Sequence, residues 1–278
     1  MEGYKYRLEP YKGMNTRYTC PSCGKKKNFA RYIDVDGNHL GDDFGRCNSE
    51  LSCGYHKSPT KNEVVSHKVF EYKKIEPSYL RNGDIFIDRY RDRLFDYLIE
   101  KFPVEKVINV FEKYKMRSTD CKWEKSTVFY QIDIKGRYRT GKIINYDNKG
   151  KRVKEPYSRI YWSHNLCTRE FNLNQCLFGE HLLRGYNDEN IYLVESEKTC
   201  LIASLFYPES IFLASGGLSN LSAKKLEVLS GFDVEAIPDK GGYKIWKDKL
   251  EPLGITVNTI MEEADIYDGA DIADLLLL

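Results

Sequence analysis

Four cysteines near the N-terminus have the spacing of a metal site. Cys20 and Cys23 form a C-x2-C pair, and Cys47 and Cys53 follow as a wider C-x5-C pair. Two such pairs can surround an ion as a tetrahedron, the geometry of closed structural zinc sites. His56 could replace one of the sulfurs. Four free thiols in a small core are the alternative, but a segment this short does not fold by apolar burial alone, and we therefore expect bound zinc.

Two acidic residues farther along the chain each follow an apolar segment that is typical of a strand. Glu195 follows residues 191–194, and Asp239 follows residues 234–237. Open α/β sheets bind ligands at the carboxyl ends of their strands, and carboxylates gathered there repel unless they hold a divalent cation. Either acid alone could be a helix cap or lie in a solvated turn. Together they favour a site for magnesium or manganese, to which Asp268 and Asp271 could add ligands, whereas Asp274 has the position of a helix-surface charge.

A third group of residues, between these two, interleaves cations with aromatic rings. It includes Arg137, Arg139 and Lys142, the basic run 149–154 and the aromatic run 157–162. Cations neutralise phosphates, and aromatic faces stack on bases without demanding a sequence. A solvated hairpin with its aromatic residues in the core explains the pattern equally well. In a strand, Arg137 and Arg139 would share one face.

The elements that must position these residues differ between the three parts of the chain. Residues 29–34 and the turn signal at Asp36-Gly37 predict a hairpin between the cysteine pairs, and the polar residues 57–68 resemble a linker. Two amphipathic helices are predicted next, one with Leu94, Leu98 and Ile99 on its apolar face. The other begins at Pro103, and its apolar residues are Val104, Val107, Ile108 and Phe111.

The remaining elements are predicted to form two sheets. Residues 127–132 and 138–146 are typical of antiparallel strands. After residue 190 strands alternate with helices, which predicts a parallel α/β sheet with right-handed crossovers. The predicted strands are 191–194, 211–214, 234–237 and 255–258, and the predicted helices are 197–206 with Ser196 as N-cap, 222–229 and 243–250.

Composition and charge limit the class of protein. The 278 residues carry a net charge of +2, with +3 over residues 1–60, +9 over 61–185 and −10 over 186–278. A hydrophobic fraction of 41% and a charged fraction of 30% argue against a disordered chain. Because the sequence has neither a membrane span nor a secretory signal, we expect a cytoplasmic protein with no membrane contact. Its other cysteines should then be buried structural thiols: Cys121, Cys167, Cys176 and Cys200.

Several motifs together carry a resemblance to known families. The stretches LVESEKT (193–199), ASGG (214–217) and IPD (237–239) resemble the first, second and third motifs of TOPRIM domains. The stretch DGADIADL (268–275) is similar to the acidic segment that often closes this domain in bacterial and phage primases. The order of cysteine ribbon, helical segment, basic strands and parallel sheet resembles the DnaG-type primases and the primase-like proteins of phages and mobile elements.

This resemblance implies an α+β and α/β architecture with four parts. They are a zinc ribbon (1–60), a linker and helical segment (61–120), a basic strand-rich subdomain (121–185) and a TOPRIM-like domain (186–278). The implied activity is template-dependent synthesis of short primers from NTPs on single-stranded DNA. Glu195 and Asp239 would be the catalytic residues and would hold magnesium or manganese, and a replicative helicase would be a further partner. Nucleic acid would be contacted by Arg139, Lys142, Arg152, Lys154 and Lys198.

The sequence departs from the family at the third motif. The family usually has two aspartates separated by one residue, whereas here Asp239 is followed by Lys240 and Gly241. Asp268 or Asp271 would then supply the missing ligand, and Lys240 could occupy part of the space of a cation. A catalytically lapsed relative that binds single-stranded DNA or a helicase is therefore one alternative. A TOPRIM nuclease is another, since the same metal site can cleave phosphodiesters.

Overall fold

The structure, a computed structural model, describes residues 5–49, 53–59 and 76–278. The chain forms two units, residues 1–75 and 76–278. Most of the predicted linker, residues 60–68, lies outside the described residues. Within the described ranges, no helix has the length and apolar composition to cross a membrane.

Four short antiparallel strands form the N-terminal unit. They pair in chain order, and the predicted hairpin is confirmed by a bridge between Ile33 and His39. Gly45 lets two of these strands approach closely, because a side chain at this position would overlap the Ala30 carbonyl oxygen. The strands are β1 (Arg7–Leu8), β2 (Phe29–Ile33), β3 (Gly45–Cys47) and β4 (His56–Lys57).

Two helices occur in the first part of the larger unit. They are α1 (Arg93–Ile99) and α2 (Val104–Lys113), and Pro103 directly precedes the second, as predicted. Ile99 and Val104, which the spacing placed on the apolar faces, are 38% and 49% exposed. They lie at the ends of the helices that face each other, beyond the turns that the core covers. Of the other predicted apolar residues, Leu94, Leu98, Val107 and Phe111 are buried and Ile108 is half-buried.

An antiparallel sheet of four strands follows the helices. The strands pair in chain order, and every residue of the second strand is buried, which shows that both faces of this strand are covered. The strands are β5 (Arg117–Thr119), β6 (Ser126–Ile132), β7 (Tyr138–Ile144) and β8 (Ile160–Trp162).

A parallel sheet completes the fold, so the predicted mixed architecture is confirmed. Its strands are β9 (Ile191–Val194), β10 (Ile211–Ala214), β11 (Val234–Ala236) and β12 (Thr256–Val257). The spatial order is β10-β9-β11-β12, with all three pairs parallel. Its helices are α3 (Glu197–Phe206), α4 (Ala223–Leu226), α5 (Tyr243–Leu250), α6 (Ile260–Glu263) and α7 (Ile272–Leu276).

One apolar core holds the two sheets of the larger unit together. It contains residues of α1 and α2, of the antiparallel strands, and of α3, β10 and α7. The backbone of Phe178 pairs with that of Ala214 through two hydrogen bonds of 3.0 Å. The buried Tyr114 hydroxyl lies 2.9 Å from the hydroxyl of Ser204 and donates to the Phe212 carbonyl at 2.9 Å. These contacts fix the basic strands of the one sheet against the strand ends of the other.

Candidate functional site

The four predicted cysteine ligands lie together in the N-terminal unit. The thiol sulfurs of Cys20, Cys23, Cys47 and Cys53 all lie within 4.8 Å of one another. The sulfurs of Cys20 and Cys53 are 3.8 Å apart, and those of Cys23 and Cys47 are 4.0 Å apart. A zinc ion with bonds of about 2.3 Å to four sulfurs in a tetrahedron requires separations of about 3.8 Å. The cluster therefore has the dimensions of a structural zinc site.

Local backbone features support this cluster. Gly24 has a φ of 69°, which turns the chain directly after Cys23, and its amide donates to the Cys20 carbonyl at 2.9 Å. The backbone amide of Tyr55 lowers the pKa of Cys53 to about 7, whereas burial and the neighbouring thiols raise the pKa of Cys23 to about 11. His56 lies apart, with its Nε2 at 2.9 Å from the Tyr32 hydroxyl. His56 is therefore not a member of the metal cluster.

The remaining cysteines only partly match the prediction of buried thiols. Cys176 and Cys200 are buried, and Cys167 is half-buried. Cys121 is exposed, so the prediction is wrong for this residue. It lies in the turn between β5 and β6, outside the strands, where the core does not cover it.

The structure brings Glu195 and Asp239 together at the carboxyl edge of the parallel sheet. Their strands, β9 and β11, are direct neighbours. The backbone amides of Asp239 and Leu218 donate hydrogen bonds to the Glu195 carboxylate. A side chain at Gly242 would lie 3.2 Å from Glu195 Oε1 and 2.9 Å from the Asp239 carbonyl oxygen. Only a residue without a side chain therefore fits so closely beside the two acids.

A third acid at this edge is Asp271 and not Asp268. Asp271 caps α7, and its Oδ2 accepts a hydrogen bond of 2.6 Å from the Thr199 hydroxyl. Its charge raises the pKa values of both Glu195 and Asp239. Asp268 is exposed, and it is not among the charges that act on either acid. Asp274, predicted to be a helix-surface charge, also raises the pKa of Asp239.

Burial and like charge make this edge unfavourable for free carboxylates. Burial, followed by the charges of Glu195, Asp271 and Asp274, raises the pKa of Asp239 to about 8. Burial is also the largest cause of the raised pKa of Glu195. In the described ranges, only the four cysteines form a group whose ligand atoms all lie within 4.8 Å. The acids are thus spread more widely than the thiols, as suits an ion that shares its coordination with water and substrate phosphates.

Lys240, which the sequence placed as a rival to a cation, turns away from the acids. Its ammonium group donates to the Ala264 carbonyl at 2.6 Å, and its backbone amide donates to the Ala270 carbonyl at 2.9 Å. The lysine thereby holds the loop that leads to Asp271. Neither Glu195 nor Asp239 has Lys240 among the charges that shift its pKa.

Three of the five cations predicted to bind nucleic acid have partners inside the fold. The buried Lys142 ammonium contacts both oxygens of Glu197, at 3.0 and 3.1 Å. Arg139 donates to Asp133 at 2.8 Å, and its guanidinium lies 4.8 Å from the centre of the Tyr79 ring. Both side chains thus have partners within the fold, and their contact with nucleic acid stays a prediction.

Lys198 is the third of these cations, and it also acts within the fold. Its ammonium donates to the Gly150 carbonyl at 2.8 Å, and burial lowers its pKa. Arg152 and Lys154 are exposed on the segment after β7, and their contact with nucleic acid stays a prediction. Tyr157, on the same segment, is 58% exposed.

Sequence reasoning missed three residues at or near this edge. Thr199 and Glu197 lie four and two residues after Glu195, in the first turn of α3, and this closeness to the strand end was a signal that they lie near the site. Lys225 gave no such signal, because in the sequence it is simply the second of two adjacent lysines, Lys224 and Lys225. In the structure Lys225 is buried, and its ammonium donates to the Ser215 carbonyl at 3.0 Å.

Two family models match the chain. The family described as a domain of unknown function (DUF6371) matches residues 92–240, more than half of the chain. A zinc beta-ribbon finger family matches residues 4–68. Because this second match spans the clustered cysteines, the N-terminal unit is a zinc ribbon. No curated protein matches the sequence.

Solved structures similar to the chain include DnaG-type primase domains. The primase fragment of the bacteriophage T7 primase-helicase protein is 14% identical, with a TM-score of 0.43 over 94% of this chain and 93% of that chain. The zinc-binding and RNA polymerase domains of Aquifex aeolicus primase are 15% identical, with a TM-score of 0.42 over 66% of this chain and 54% of that chain. The Escherichia coli primase catalytic core is 14% identical, with a TM-score of 0.38 over 65% and 60%. Likenesses of this size assign no activity to the chain.

Proposed function

We propose that this chain, which belongs to the family described as a domain of unknown function (DUF6371), is a primase-like nucleic-acid protein. It would synthesise short primers from NTPs on single-stranded DNA at a TOPRIM-like site with magnesium or manganese. The ribbon would engage the template, and a replicative helicase is a further candidate partner.

The observation that carries this proposal is the convergence of Glu195, Asp239 and Asp271 at one edge of the parallel sheet. Burial and mutual repulsion raise the pKa values of the first two acids. Among the described residues, none of the three acids forms a salt bridge with a lysine or arginine. A divalent cation would neutralise their charge, and Mg²⁺ typically binds to one or two carboxylates together with substrate phosphates.

The surrounding residues have separate roles in this proposal. Thr199 holds the carboxylate of Asp271 in place through its hydroxyl. A bound ion would supply positive charge to the phosphates of the incoming nucleotide. The exposed Arg152 and Lys154 would neutralise phosphates of the template, and the exposed ring of Tyr157 would stack on a base.

Primer synthesis by purified, zinc-loaded protein tests the proposal. Single-stranded templates, NTPs and Mg²⁺ should yield short products. Glu195→Gln or Asp239→Asn should lower the rate by about 10³-fold or more, because each removes a ligand of the ion that would stabilise charge on the reacting phosphates. Asp248→Asn is the matched control, since this acid is exposed on α5. Absence of products on varied templates, with the zinc content intact, would contradict the activity.

The second candidate is a lapsed relative that binds single-stranded DNA without synthesis. It is favoured by the absence of the second aspartate of the DnaG-type primase motif, because Asp239 is followed by Lys240 and Gly241. It predicts salt-sensitive binding of a labelled oligonucleotide that Glu195→Gln leaves unchanged. Both candidates predict weaker binding by Lys154→Ala, so the presence of primers decides between them.

A further inference from the structure

A polar pocket borders the end of loop 215–220, and its lining includes none of the three clustered acids. Its volume is about 220 Å³. Leu218 of this loop directs its amide toward Glu195, whereas Asn220 lines the pocket. The polar residues of the lining are Asn174, Gln175, Asn220, Ser222, Lys224 and Lys225.

The lining of this pocket is suited to an anion. It offers two ammonium groups, three amide groups and one hydroxyl, and neither aspartate nor glutamate is among its seven residues. Primary ammonium and amide N–H groups are donors, and hydrogen bonds from charged donors to phosphate oxygens are strong. A cationic ligand would meet two like charges here and no acid to neutralise it.

Lys225 is the unusual member of this set. It is only 6% exposed, and among the described residues it forms no salt bridge. Its ammonium has three donors, of which the structure assigns one, to the Ser215 carbonyl. The nearest acid of α3, Glu197, is already paired with Lys142. A buried cation with spare donors is costly unless an anion binds beside it.

We propose that this pocket binds a phosphate group, with Lys225 at its inner end and Lys224 at its mouth. The phosphate could come from the polyphosphate of a free nucleotide or from the backbone of a strand, and the pocket's concave form favours the nucleotide. This inference goes beyond the proposed function, because it requires neither primer synthesis nor the carboxylate cluster.

Calorimetric titration with inorganic triphosphate, without added divalent cation, tests the pocket. Lys225→Met keeps most of the side-chain volume, and Lys224→Ala changes an exposed residue, so at least one variant should fold. Each should weaken binding by about tenfold or more, because each removes a charge-assisted hydrogen bond. Lys244→Ala, on the exposed face of α5, is the control that should bind as the wild type does. The zinc content is measured before and after titration.

Competition distinguishes the two sources of phosphate. If ATP displaces triphosphate and an unphosphorylated oligothymidylate does not, the pocket is a nucleotide site; the reverse result identifies a strand contact. Either result supports a phosphate site. Equal affinity of the wild type and both lysine variants, or no binding of triphosphate at millimolar concentration, would overturn it. Loss of primer synthesis in Glu195→Gln with unchanged triphosphate binding would show that the two sites are separate.

Discussion

The cysteine cluster and the carboxylate cluster are assembled in opposite ways. The cysteines lie within residues 20–53, on turns and one short strand, and their sulfurs lie within 4.8 Å of one another. The acids span residues 195–271. Glu195 and Asp239 meet because neighbouring parallel strands end at the same edge, and Asp271 joins them from the N-cap of α7. Local chain geometry thus positions the thiols, whereas the whole sheet positions the acids.

The two clusters also differ in what surrounds them. Among the described residues of the ribbon unit, Cys20, Phe29 and Cys47 form the buried core cluster, so two of its three members belong to the thiol group of the expected zinc site. The acids lie above a sheet whose apolar core exists without them. We therefore expect zinc to be required for the folding of the first unit. In the second unit, a divalent cation should supply positive charge to a fold that is stable without it.

The largest expected effect is that of Cys47→Ser on the ribbon. Structural zinc contributes roughly 10 kcal/mol to the folding of small metal-binding units, so the variant should lose its zinc and the structure of residues 5–49 and 53–59. Metal analysis and amide hydrogen exchange measure both. Cys121→Ser is the matched control, because this thiol is exposed and lies outside the cluster. Stoichiometric zinc in Cys47→Ser would contradict the proposed difference between the two clusters, because the ribbon would then bind zinc without this ligand.

Asp239→Asn should have the opposite effect on stability. In protein without added Mg²⁺ at neutral pH, the raised pKa means that folding must protonate a carboxylate that is ionised in the unfolded chain. Asparagine carries no such cost, and Tm should rise by ~2–4 °C for each kcal/mol gained. Mg²⁺ should stabilise the wild type and leave the variant nearly unchanged. Thermal unfolding with and without Mg²⁺ measures this, with Asp248→Asn as the control. Equal Mg²⁺ responses in wild type and Asp239→Asn would show that Asp239 holds no ion.

A smaller effect is expected from the residue that orients Asp271. Thr199→Val removes the hydroxyl that donates to this carboxylate but keeps the shape of the side chain. Residues that hold a metal ligand in place typically contribute 10- to 100-fold to metal affinity, so Mg²⁺ affinity should fall by about tenfold. Thr199→Ser retains the hydroxyl and should restore most of the affinity. If both variants bind Mg²⁺ equally, the hydrogen bond has no part in the site.

The difference between local and long-range assembly also explains which site residues the sequence could predict. Four cysteines at close spacing identify their own partners, and the order of strands and helices placed Glu195 and Asp239 at one edge. The choice of Asp271 over Asp268 was not accessible, because it depends on the cap of α7 and on a contact with Thr199, 72 residues away. Loop conformations of this kind follow from tertiary contacts that no local pattern encodes.

The basic strands were harder to predict for a different reason. An alternating pattern shows that Arg139 and Lys142 lie on a strand, but it does not show which face a second sheet covers. In the structure β7 is largely buried, and Glu197 from α3 pairs with Lys142. The exposed cations occur instead on the irregular segment after this strand, where no periodic pattern separates solvated charge from binding charge.

The smallest expected effect concerns a buried charge that neither metal would neutralise. Burial lowers the pKa of Lys225 from 10.5 to about 8, so between these values the folded protein binds fewer protons than the unfolded chain. The free energy of unfolding should therefore increase as pH rises from 8 to 10.5. Below pH 8 the lysine is charged in the folded protein, and its burial destabilises the fold by the full amount. Lys225→Met should be more stable than the wild type at pH 7, on the order of 1 kcal/mol, and this difference should shrink toward pH 10. Urea unfolding at pH 7, 9 and 10 measures this difference. Lys244→Met is the control and should follow the wild type. A constant difference between Lys225→Met and wild type would mean that Lys225 does not titrate in this range.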